Sequence, residues 1–253
     1  SYTWIDGITY DSSNVIASFT YSTALGVCDS VIYLDLIILN GGCTDSVALN
    51  YDSTATCDNG SCVYNNSESL FFSEYAEGSS SNRYFEIYNP TSDTIDLTYY
   101  AFAMVSSTTG SYNGVYQTWN NFDSGAVILP NDVYVVVHSS ADASIISEAD
   151  MDYNLLSNGD DGMALVYGIE PASPVDPNTG GYLILDWIGD WDADPGQGWN
   201  VAGVSAATRN HTLVRKCPIS QGDTSWSNSS GTDAVNSQWM VLSQNNWSNI
   251  GFH

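Results

Sequence analysis

The chain contains very little positive charge. Lys and Arg together number four among 253 residues, against 29 Asp and Glu, so the formal net charge is −25. Proteins bind nucleic acid largely by neutralising its phosphates with Lys and Arg, which argues against nucleic acid as a partner. A strongly acidic surface suits a salty exterior, where cations and screening relieve self-repulsion. We therefore expect a secreted protein located outside the cell or on its surface.

Long apolar runs and catalytic motifs are also missing. No apolar stretch reaches the roughly 18 residues of a transmembrane helix, and the longest, Val31–Leu39, is interrupted by Asp35. The three histidines, at positions 138, 211 and 253, do not show metal-site spacing. There is no nucleophile elbow, P-loop or dinucleotide fingerprint. The sequence thus predicts neither membrane insertion nor enzymatic activity.

Cysteine is scarce, but its count is informative. The five cysteines are Cys28, Cys43, Cys57, Cys62 and Cys217. Without a zinc or redox motif, five cysteines favour an oxidising compartment. Their odd number leaves one thiol free or paired outside the chain. The sequence begins at Ser1 inside a strand-like pattern, with no initiator methionine or signal peptide, so we expect a processed or excised piece of a longer protein.

Short aromatic and β-branched runs bounded by turn formers predict an all-β fold. Residues 2–10 alternate around an Asp-Gly pair, which favours a hairpin. Further strands are expected over Leu70–Tyr75 and over Tyr84–Asn89, the latter ended by Pro90 because proline lacks the N–H that a ladder needs. A short helix is expected near Ser144–Met151.

From about residue 69 the strands follow a recognisable order. The segments "SEY…RYFEIYNPTSDTIDL", "VILPNDVYVVVH", "LLSNGDDGMALVYG", "LDWIGDWDADPGQGWNVAG", "HTLVRK" and "SQWMVLSQNNWSNIGFH" occur in turn. This series resembles the lamin-tail domain, an immunoglobulin-like β-sandwich of nuclear lamins and of many secreted bacterial proteins of Bacteroidetes type. The resemblance spans nearly all of residues 69–253. It implies a scaffold and not a reaction.

Residues 1–40 carry a second resemblance. The strings "SYTWIDGITY" and "GVCDSVIYLDLIILN" resemble a short β repeat of large adhesin-like secreted proteins. In that family a strand and a cysteine precede "SYTW", and both are absent here, which implies an open sheet edge and an unpartnered Cys28. Open edges invite strand addition, so we expect a neighbouring subunit to supply the strand. The alternatives are that the chain was cut, or that the unit folds without the strand.

Residues 41–68 form the expected linker between the two. The string "GCTDSVALNYDSTATCDNGSC" resembles a "GCTD…NY…DDGSC" repeat of secreted marine bacterial proteins. A segment this short cannot bury a core and needs a staple. The resemblance implies a disulfide between Cys43 and Cys62. Cys57 has no counterpart in the repeat, and it could pair with Cys28 or Cys217.

Two groups of oxygen-bearing side chains are candidate calcium sites, because calcium takes six to eight oxygen ligands. The first group is Asp45, Asn50, Asp52, Asp58 and Asn59, and the second is Asp190, Asp192 and Asp194. Calcium is the only cofactor that the sequence suggests. The alternative is that these residues form ordinary turns, where Asp and Asn are also abundant.

Tryptophans beside the second acidic group are candidates for stacking on sugar rings. These are Trp187, Trp191 and Trp199. Core or rim packing of the sandwich is the alternative for all three.

Glycosylation is predicted at two kinds of motif. Asn-x-Ser/Thr sequons contain Asn65, Asn210, Asn228 and Asn246. Short Asp-Ser/Thr tripeptides resemble a Bacteroidetes O-glycosylation motif, which implies glycans on Ser30, Ser46, Ser53 and Thr94.

The combined expectation is an extracellular, non-enzymatic structural or adhesive protein. It would comprise an incomplete β repeat (1–40), a stapled linker (41–68) and a lamin-tail-like sandwich (69–253). It would serve as a subunit of a surface filament or matrix, self-associating by strand sharing or head-to-tail contacts. The alternative function is a glycan- or calcium-binding accessory module of a large secreted enzyme, with neighbouring domains and a polysaccharide as partners.

Overall fold

A computed structural model describes residues 1–21, 30–44, 51–59, 61–62, 70–106, 113–156 and 159–253. The chain divides into two compact units, residues 1–63 and 64–253. Strands dominate both units, and the helices are short.

In its described residues the first unit contains three separate pairs of strands. Its strands are β1 (Tyr2–Thr3), β2 (Thr9–Tyr10), β3 (Ser18–Tyr21), β4 (Ser30–Tyr33), β5 (Gly41–Gly42) and β6 (Cys57–Asp58). The β1–β2 and β3–β4 pairs are antiparallel, and β5 pairs with β6 in parallel. The predicted Asp-Gly hairpin is confirmed: Gly7 has a φ of +78° and donates its N–H to the Trp4 carbonyl at 2.9 Å.

The second unit is a β-sandwich with two main sheets. Its strands are β7 (Phe71–Glu77), β8 (Arg83–Tyr88), β9 (Ile95–Asp96), β10 (Tyr100–Val105), β11 (Thr118–Asn121), β12 (Val127–Ile128), β13 (Val133–Val137), β14 (Met151–Asp152), β15 (Gly162–Tyr167), β16 (Leu183–Ile188), β17 (His211–Arg215) and β18 (Trp239–Ser243). Its helices are α1 (Ala143–Ile146), α2 (Pro177–Gly180) and α3 (Trp226–Ser230).

One main sheet has six strands in the order β14-β13-β8-β7-β17-β18, and the other has four in the order β11-β10-β15-β16. Strands β9 and β12 form a small additional pair. The chain therefore has the predicted all-β, immunoglobulin-like architecture.

The main core lies between the two sheets. Phe72, Phe85 and Leu213 belong to the six-stranded sheet, and Phe102 and Leu165 to the four-stranded sheet; all are fully buried in one cluster. The rings of Phe85 and Phe102 meet edge to face, with their centroids 5.0 Å apart. Burying one such ring contributes about 1.5–3 kcal/mol. This core fixes how the two sheets are placed against each other.

Strand β8 ends where the sequence predicts, just before Asn89-Pro90. Asn89 is fully buried, and its side-chain amide donates to the carbonyls of Asp93, Ile128 and Leu129 at 2.8–3.1 Å. Its side-chain oxygen accepts from the Thr91 backbone at 3.0 Å. This single amide thus ties the turn after β8 to the segment before β13.

The outer face of the six-stranded sheet is covered as well. Helix α1 and residues 247–253 pack on it, with Ile145 and Ile250 contributing to a second cluster around Tyr84 and Val135. The helix confirms the expectation of a short helix in this region. Both faces of β7 and β8 are consequently buried.

Candidate functional site

The β3–β4 ribbon of the first unit is a two-stranded sheet that is open to a partner. Its register runs from Ser18 opposite Tyr33 to Tyr21 opposite Ser30. Pairing continues beyond β4, since Leu34 donates its N–H to the Ala17 carbonyl at 2.8 Å. Within the described residues no third strand pairs with this ribbon. Both of its edges therefore offer unpaired backbone groups.

The ribbon carries exposed apolar side chains and no charge. Val31, Ile32 and Tyr33 are 46%, 39% and 72% exposed, and Tyr21 is 48% exposed. Neither β3 nor β4 contains a charged residue. Isolated two-stranded ribbons are marginally stable at best in water, so a ribbon with this surface gains from being covered.

The described part of the first unit has almost no buried core. Among its described residues only Leu34 and Cys43 are buried hydrophobic side chains. A disulfide joins Cys43 to Cys62, with the Cα atoms 4.7 Å apart, and confirms the pairing implied by the repeat. Stability in this unit therefore depends on the cross-link and on short ladders.

Two further cysteines lie in the described part of the chain. Cys57, in the first unit, is half-buried and Cys217, in the second, is exposed, and both are present as free thiols. The pairing of Cys57 with Cys28 or Cys217 stays a prediction. Cys28 lies outside the described residues.

The first candidate calcium group supports its own turns. Asp52 accepts hydrogen bonds from the Thr54 amide and hydroxyl at 2.8 and 2.7 Å, and these bonds lower the pKa of its carboxyl. Asn59 accepts from the Ser61 amide at 3.0 Å, and Asp58 is exposed. Asp45 and Asn50 lie outside the described residues. Calcium binding here stays a prediction.

The carboxylates of the second candidate calcium group also accept hydrogen bonds within their own turns. Asp190 accepts from the amides of Asp192 and Ala193 at 2.9 and 3.1 Å, and Asp194 accepts from the Gly196 amide at 2.7 Å. Burial raises the pKa of Asp190. Within the described part of the chain, no group of three or more His, Cys, Asp or Glu is placed to hold a metal ion.

The three candidate sugar-stacking tryptophans are core residues. Trp187, Trp191 and Trp199 are 7%, 1% and 8% exposed. Trp187 packs on Trp191 with ring centroids 4.8 Å apart, and its indole N–H donates to the Thr224 carbonyl. Trp199 donates to the Asp161 carbonyl at 2.9 Å. Because their faces are covered by protein, the prediction of a stacking platform is wrong.

The predicted glycosylation residues that the structure describes lie at the surface. Asn210, Asn228, Ser53 and Thr94 are exposed, and Asn246 is half-buried. Asn65, Ser46 and the Ser30 side chain lie outside the described residues. Modification at these positions stays a prediction.

Sequence reasoning missed a buried ion pair inside the sandwich. Arg215 on β17 contacts Asp186 on β16 with a nitrogen–oxygen distance of 3.2 Å, and both side chains are fully buried. Asp186 also accepts from the amides of Phe72 and Asp223 at 2.9 and 3.0 Å. The guanidinium lies 4.5 Å over the Trp239 ring. These contacts join the two sheets through polar groups.

A buried pair of carboxyls was missed too. Glu74 and Glu86 face each other across β7 and β8 on the outer side of the six-stranded sheet. Tyr84 donates its hydroxyl to Glu74, while Ser73 and the Gly251 amide donate to Glu86 at 2.6 and 2.8 Å. Burial raises the pKa of Glu74 to about 7 and that of Glu86 to about 8. The pair therefore carries protons near neutral pH.

Comparison with known families gives one match. Residues 65–171 match the Lamin Tail Domain family. Comparisons with curated proteins and with solved structures gave no match. Strands β16, β17 and β18 follow the matched segment but complete both sheets. No helix in the described residues is long and apolar enough to span a membrane.

Proposed function

Because residues 65–171 are a lamin tail domain, an immunoglobulin-like structural fold, we propose that this protein is a secreted, non-enzymatic structural subunit that assembles with copies of itself through the β3–β4 ribbon. The observation that carries the proposal is the contrast between the two units. The sandwich has a large buried apolar core, whereas the ribbon leaves Val31, Ile32 and Tyr33 exposed.

Charge supports the ribbon as the contact. A chain with a net charge of −25 repels its copies over most of its surface, and close approach is least costly where no carboxylate is present. The ribbon meets that condition, and its unpaired edges can add a strand by backbone hydrogen bonds. The disulfide between Cys43 and Cys62 supports an oxidising, extracellular location.

A charge placed on the ribbon tests the proposal. Tyr33→Lys puts an ammonium on the exposed ribbon, and edge lysines oppose strand addition. Val235→Lys is the matched control, because Val235 is a 91% exposed apolar residue of the sandwich. We expect the wild-type chain and the control to form polymers in sedimentation velocity and negative-stain micrographs at physiological salt, and the Tyr33→Lys variant to stay monomeric. A wild-type chain that remains monomeric would sink the proposal.

A further inference from the structure

The 247–253 segment covers part of the outer face of the six-stranded sheet and is held there by few polar contacts. It contains neither strand nor helix. Trp247 and Ile250 pack on the second hydrophobic cluster. Within the described residues, one hydrogen bond joins the segment to the sheet, from the Gly251 amide to Glu86 at 2.8 Å. The burial of a few side chains and this single bond therefore hold the segment in place.

His253 is the third anchor of the segment. Its ring contacts those of Phe71 and Tyr88, with centroids 5.6 and 4.8 Å apart. Burial lowers the pKa of the imidazole, and the nearby Arg215 guanidinium lowers it further. The ring is therefore neutral above pH 6.5 and acts there as an aromatic contact.

The Gly251 amide brings the segment onto one of two facing carboxyls. Glu74 and Glu86 lie opposite each other, next to a bulge at Ser73, and are 1% and 0% exposed. Ser73 and Gly251 donate to the two oxygens of Glu86. Tyr84 donates to one oxygen of Glu74, and the other oxygen is buried without a hydrogen-bond partner. Ionised carboxyls at this place would therefore lack part of the hydrogen bonding that water gives them.

The charges near the pair make ionisation harder still. Burial raises the pKa of Glu86 to about 8, and repulsion from Glu74 and Asp132 adds to the rise. Burial also raises the pKa of Glu74 to about 7. Glu148, which follows α1, approaches the segment as well, since a Cβ at Gly251 would lie 2.8 Å from its carboxylate. Like charges directly opposite each other on paired strands are destabilising, so two ionised carboxyls favour any rearrangement that admits water.

The 247–253 segment is the part of this face that can separate from the sheet most easily. Helix α1, which covers the same face, is fixed more firmly. Asp142, just before the helix, exchanges two hydrogen bonds with Asn82 at 2.7 and 2.8 Å, and Ile145 is fully buried. On the inner side, the main core lies against the sheet. Water therefore reaches the carboxyls at least cost if the segment lifts.

We propose that the 247–253 segment is a pH-operated cover, which stays closed on Glu86 while the two facing carboxyls are protonated and lifts from the sheet when both ionise. The inference does not depend on the proposed function. Lifting would uncover part of the cluster around Tyr84 and Val135 beside two carboxylates. At alkaline pH the sandwich would thus present a surface that it hides at neutral and acidic pH.

The sign of the effect follows from proton binding. In the open state the two carboxyls face water and return to an ordinary pKa near 4.5, so the closed state binds more protons. The preference for the closed state is therefore complete below pH 4.5 as far as the carboxyls are concerned, and it is lost as the pH rises to about 8. Protonation of His253 acts in the opposite sense and at lower pH, so measurements begin at pH 6.5.

Fluorine NMR of the full chain labelled with 5-fluorotryptophan tests the proposal. The resonance of Trp247 is identified by its loss in Trp247→Phe, and a labelled peptide of residues 244–253 gives the position of the open state. We expect this resonance to move to the peptide position between pH 6.5 and 9.5, while those of the buried Trp187 and Trp191 stay in place. A Trp247 resonance that does not move would overturn the inference. Simultaneous movement of the core resonances would overturn it too, because the whole sandwich would then be unfolding.

Variants of the carboxyls identify the groups that drive the movement. Glu86→Gln keeps an acceptor for the Gly251 amide and removes one ionisation, so the transition should become shallower and should not be complete at pH 9.5. Glu148→Gln is the matched control, because this exposed carboxylate lies near the same glycine, and it should follow the wild type. A folded Glu86→Gln chain with the wild-type transition would contradict the assignment.

Variants of the anchors test whether closure depends on packing. Ile250→Ala removes part of a half-buried side chain and should shift the midpoint of the transition to lower pH by roughly one unit. Phe252→Ala truncates a neighbouring side chain that is 60% exposed and should leave the midpoint unchanged. Thermal unfolding at pH 6.5 shows whether the sandwich of each variant stays folded. Equal midpoints in the wild type and in folded Ile250→Ala would overturn the proposal that this segment is the cover.

Discussion

The buried ion pair of Asp186 and Arg215 is the most consequential pair of residues in the sandwich. The desolvation of two charges can cost as much as their attraction gives, so such a pair is weak evidence for stability in itself. Here Asp186 also satisfies the amides of Phe72 and Asp223, one from the opposite sheet and one from the loop beside β16. The pair and these two amides therefore connect both sheets and the loop beside β16.

Removing one partner of this ion pair should lower the free energy of unfolding. Arg215→Met leaves the Asp186 carboxylate buried without its cation, and we expect a loss of roughly 3–5 kcal/mol in the free energy of unfolding, measured with urea. The double variant Arg215→Met/Asp186→Asn removes the uncompensated charge and should recover part of that loss. A single variant within about 1 kcal/mol of the wild type would contradict this assignment.

The facing carboxyls of Glu74 and Glu86 predict a pH dependence. Burial raises the pKa from the ordinary 4.5 to about 7 for Glu74 and to about 8 for Glu86. Between pH 4.5 and about 8 the folded state therefore binds more protons than the unfolded state. The contribution of these two carboxyls to the free energy of unfolding should therefore be greatest below pH 4.5 and should fall as the pH rises to about 8. Urea titrations from pH 5 to 9 measure this slope.

The matched variant for this prediction is Glu86→Gln. It keeps the shape of the side chain and removes one of the two ionisations, so the slope between pH 6 and 8 should flatten. Glu148→Gln is the comparison, because Glu148 is an exposed carboxylate near Gly251. An unchanged slope in Glu86→Gln would mean that other groups govern the pH response.

These residues show where sequence reasoning stops. Asp186 lies in an acidic stretch with Asp190, Asp192 and Asp194, and its residue type alone suggests a surface position. It is buried because β16 and β17 belong to different sheets that meet at this point, which no local pattern encodes. The three tryptophans near Asp190 were misjudged for the same reason, since aromatic spacing does not tell core from surface.

At the scale of elements, the positions of strands were predictable, but the residues at which several strands end were not. The Asp-Gly hairpin and the end of β8 follow from local turn chemistry, and both were found as expected. The longest apolar stretch, Val31–Leu39, forms a strand only as far as Tyr33. Beyond Tyr33 the ladder is interrupted where the Asn14 side chain accepts from the amides of Ile16 and Ala17, and pairing resumes as a bridge between Asn14 and Leu36. Such a side-chain turn competes with a ladder.

The disulfide of the first unit gives a prediction at this scale. Cys43 and Cys62 are separated by 19 positions, and closing a loop of this size stabilises by roughly 3 kcal/mol. Since the unit has little core, its reduction should unfold residues 30–62 while the sandwich stays intact. Hydrogen exchange with and without reductant measures this, and Cys57→Ser serves as the control for a thiol outside the bridge. Equal protection in both conditions would contradict the prediction.

For the whole molecule, charge sets the conditions of assembly. Screening extends over about 8 Å at physiological salt and about 30 Å at 0.01 M, so copies carrying −25 repel strongly only in dilute salt. We expect polymers at physiological sodium chloride and monomers at 0.01 M, by sedimentation velocity. Sucrose at equal osmolality is the control. Polymers that are indifferent to salt would show that repulsion does not limit the association.

The same experiment bears on calcium. If repulsion alone matters, calcium and magnesium chloride should promote polymers at equal concentrations. A requirement for calcium at a level where magnesium has no effect would instead indicate a specific site, as the Asp-rich segments predict.

At this scale the sequence predicted the class of fold, but not the topology of its sheets. The lamin-tail resemblance correctly indicated a sandwich, because its motifs occur one after another along the sequence. The neighbours in the six-stranded sheet are set by long-range packing, as β7 lies between β8 and the distant β17. The contact between Gly251 and Glu86 is likewise invisible in the sequence, because these residues lie 165 positions apart.

The scarcity of basic residues also limits how the folded protein can be cleaved by trypsin-like proteases. Trypsin cuts after Lys and Arg, and here Arg215 is fully buried while the adjoining Lys216 donates its ammonium to the carbonyls of Ala234 and Ser237. Cleavage needs an exposed, locally unfolded backbone, which the end of a central strand does not provide. Trypsin-like proteases thus have few accessible sites on the intact sandwich, and even after unfolding they would leave most of the chain in three large fragments, residues 1–83, 84–209 and 217–253.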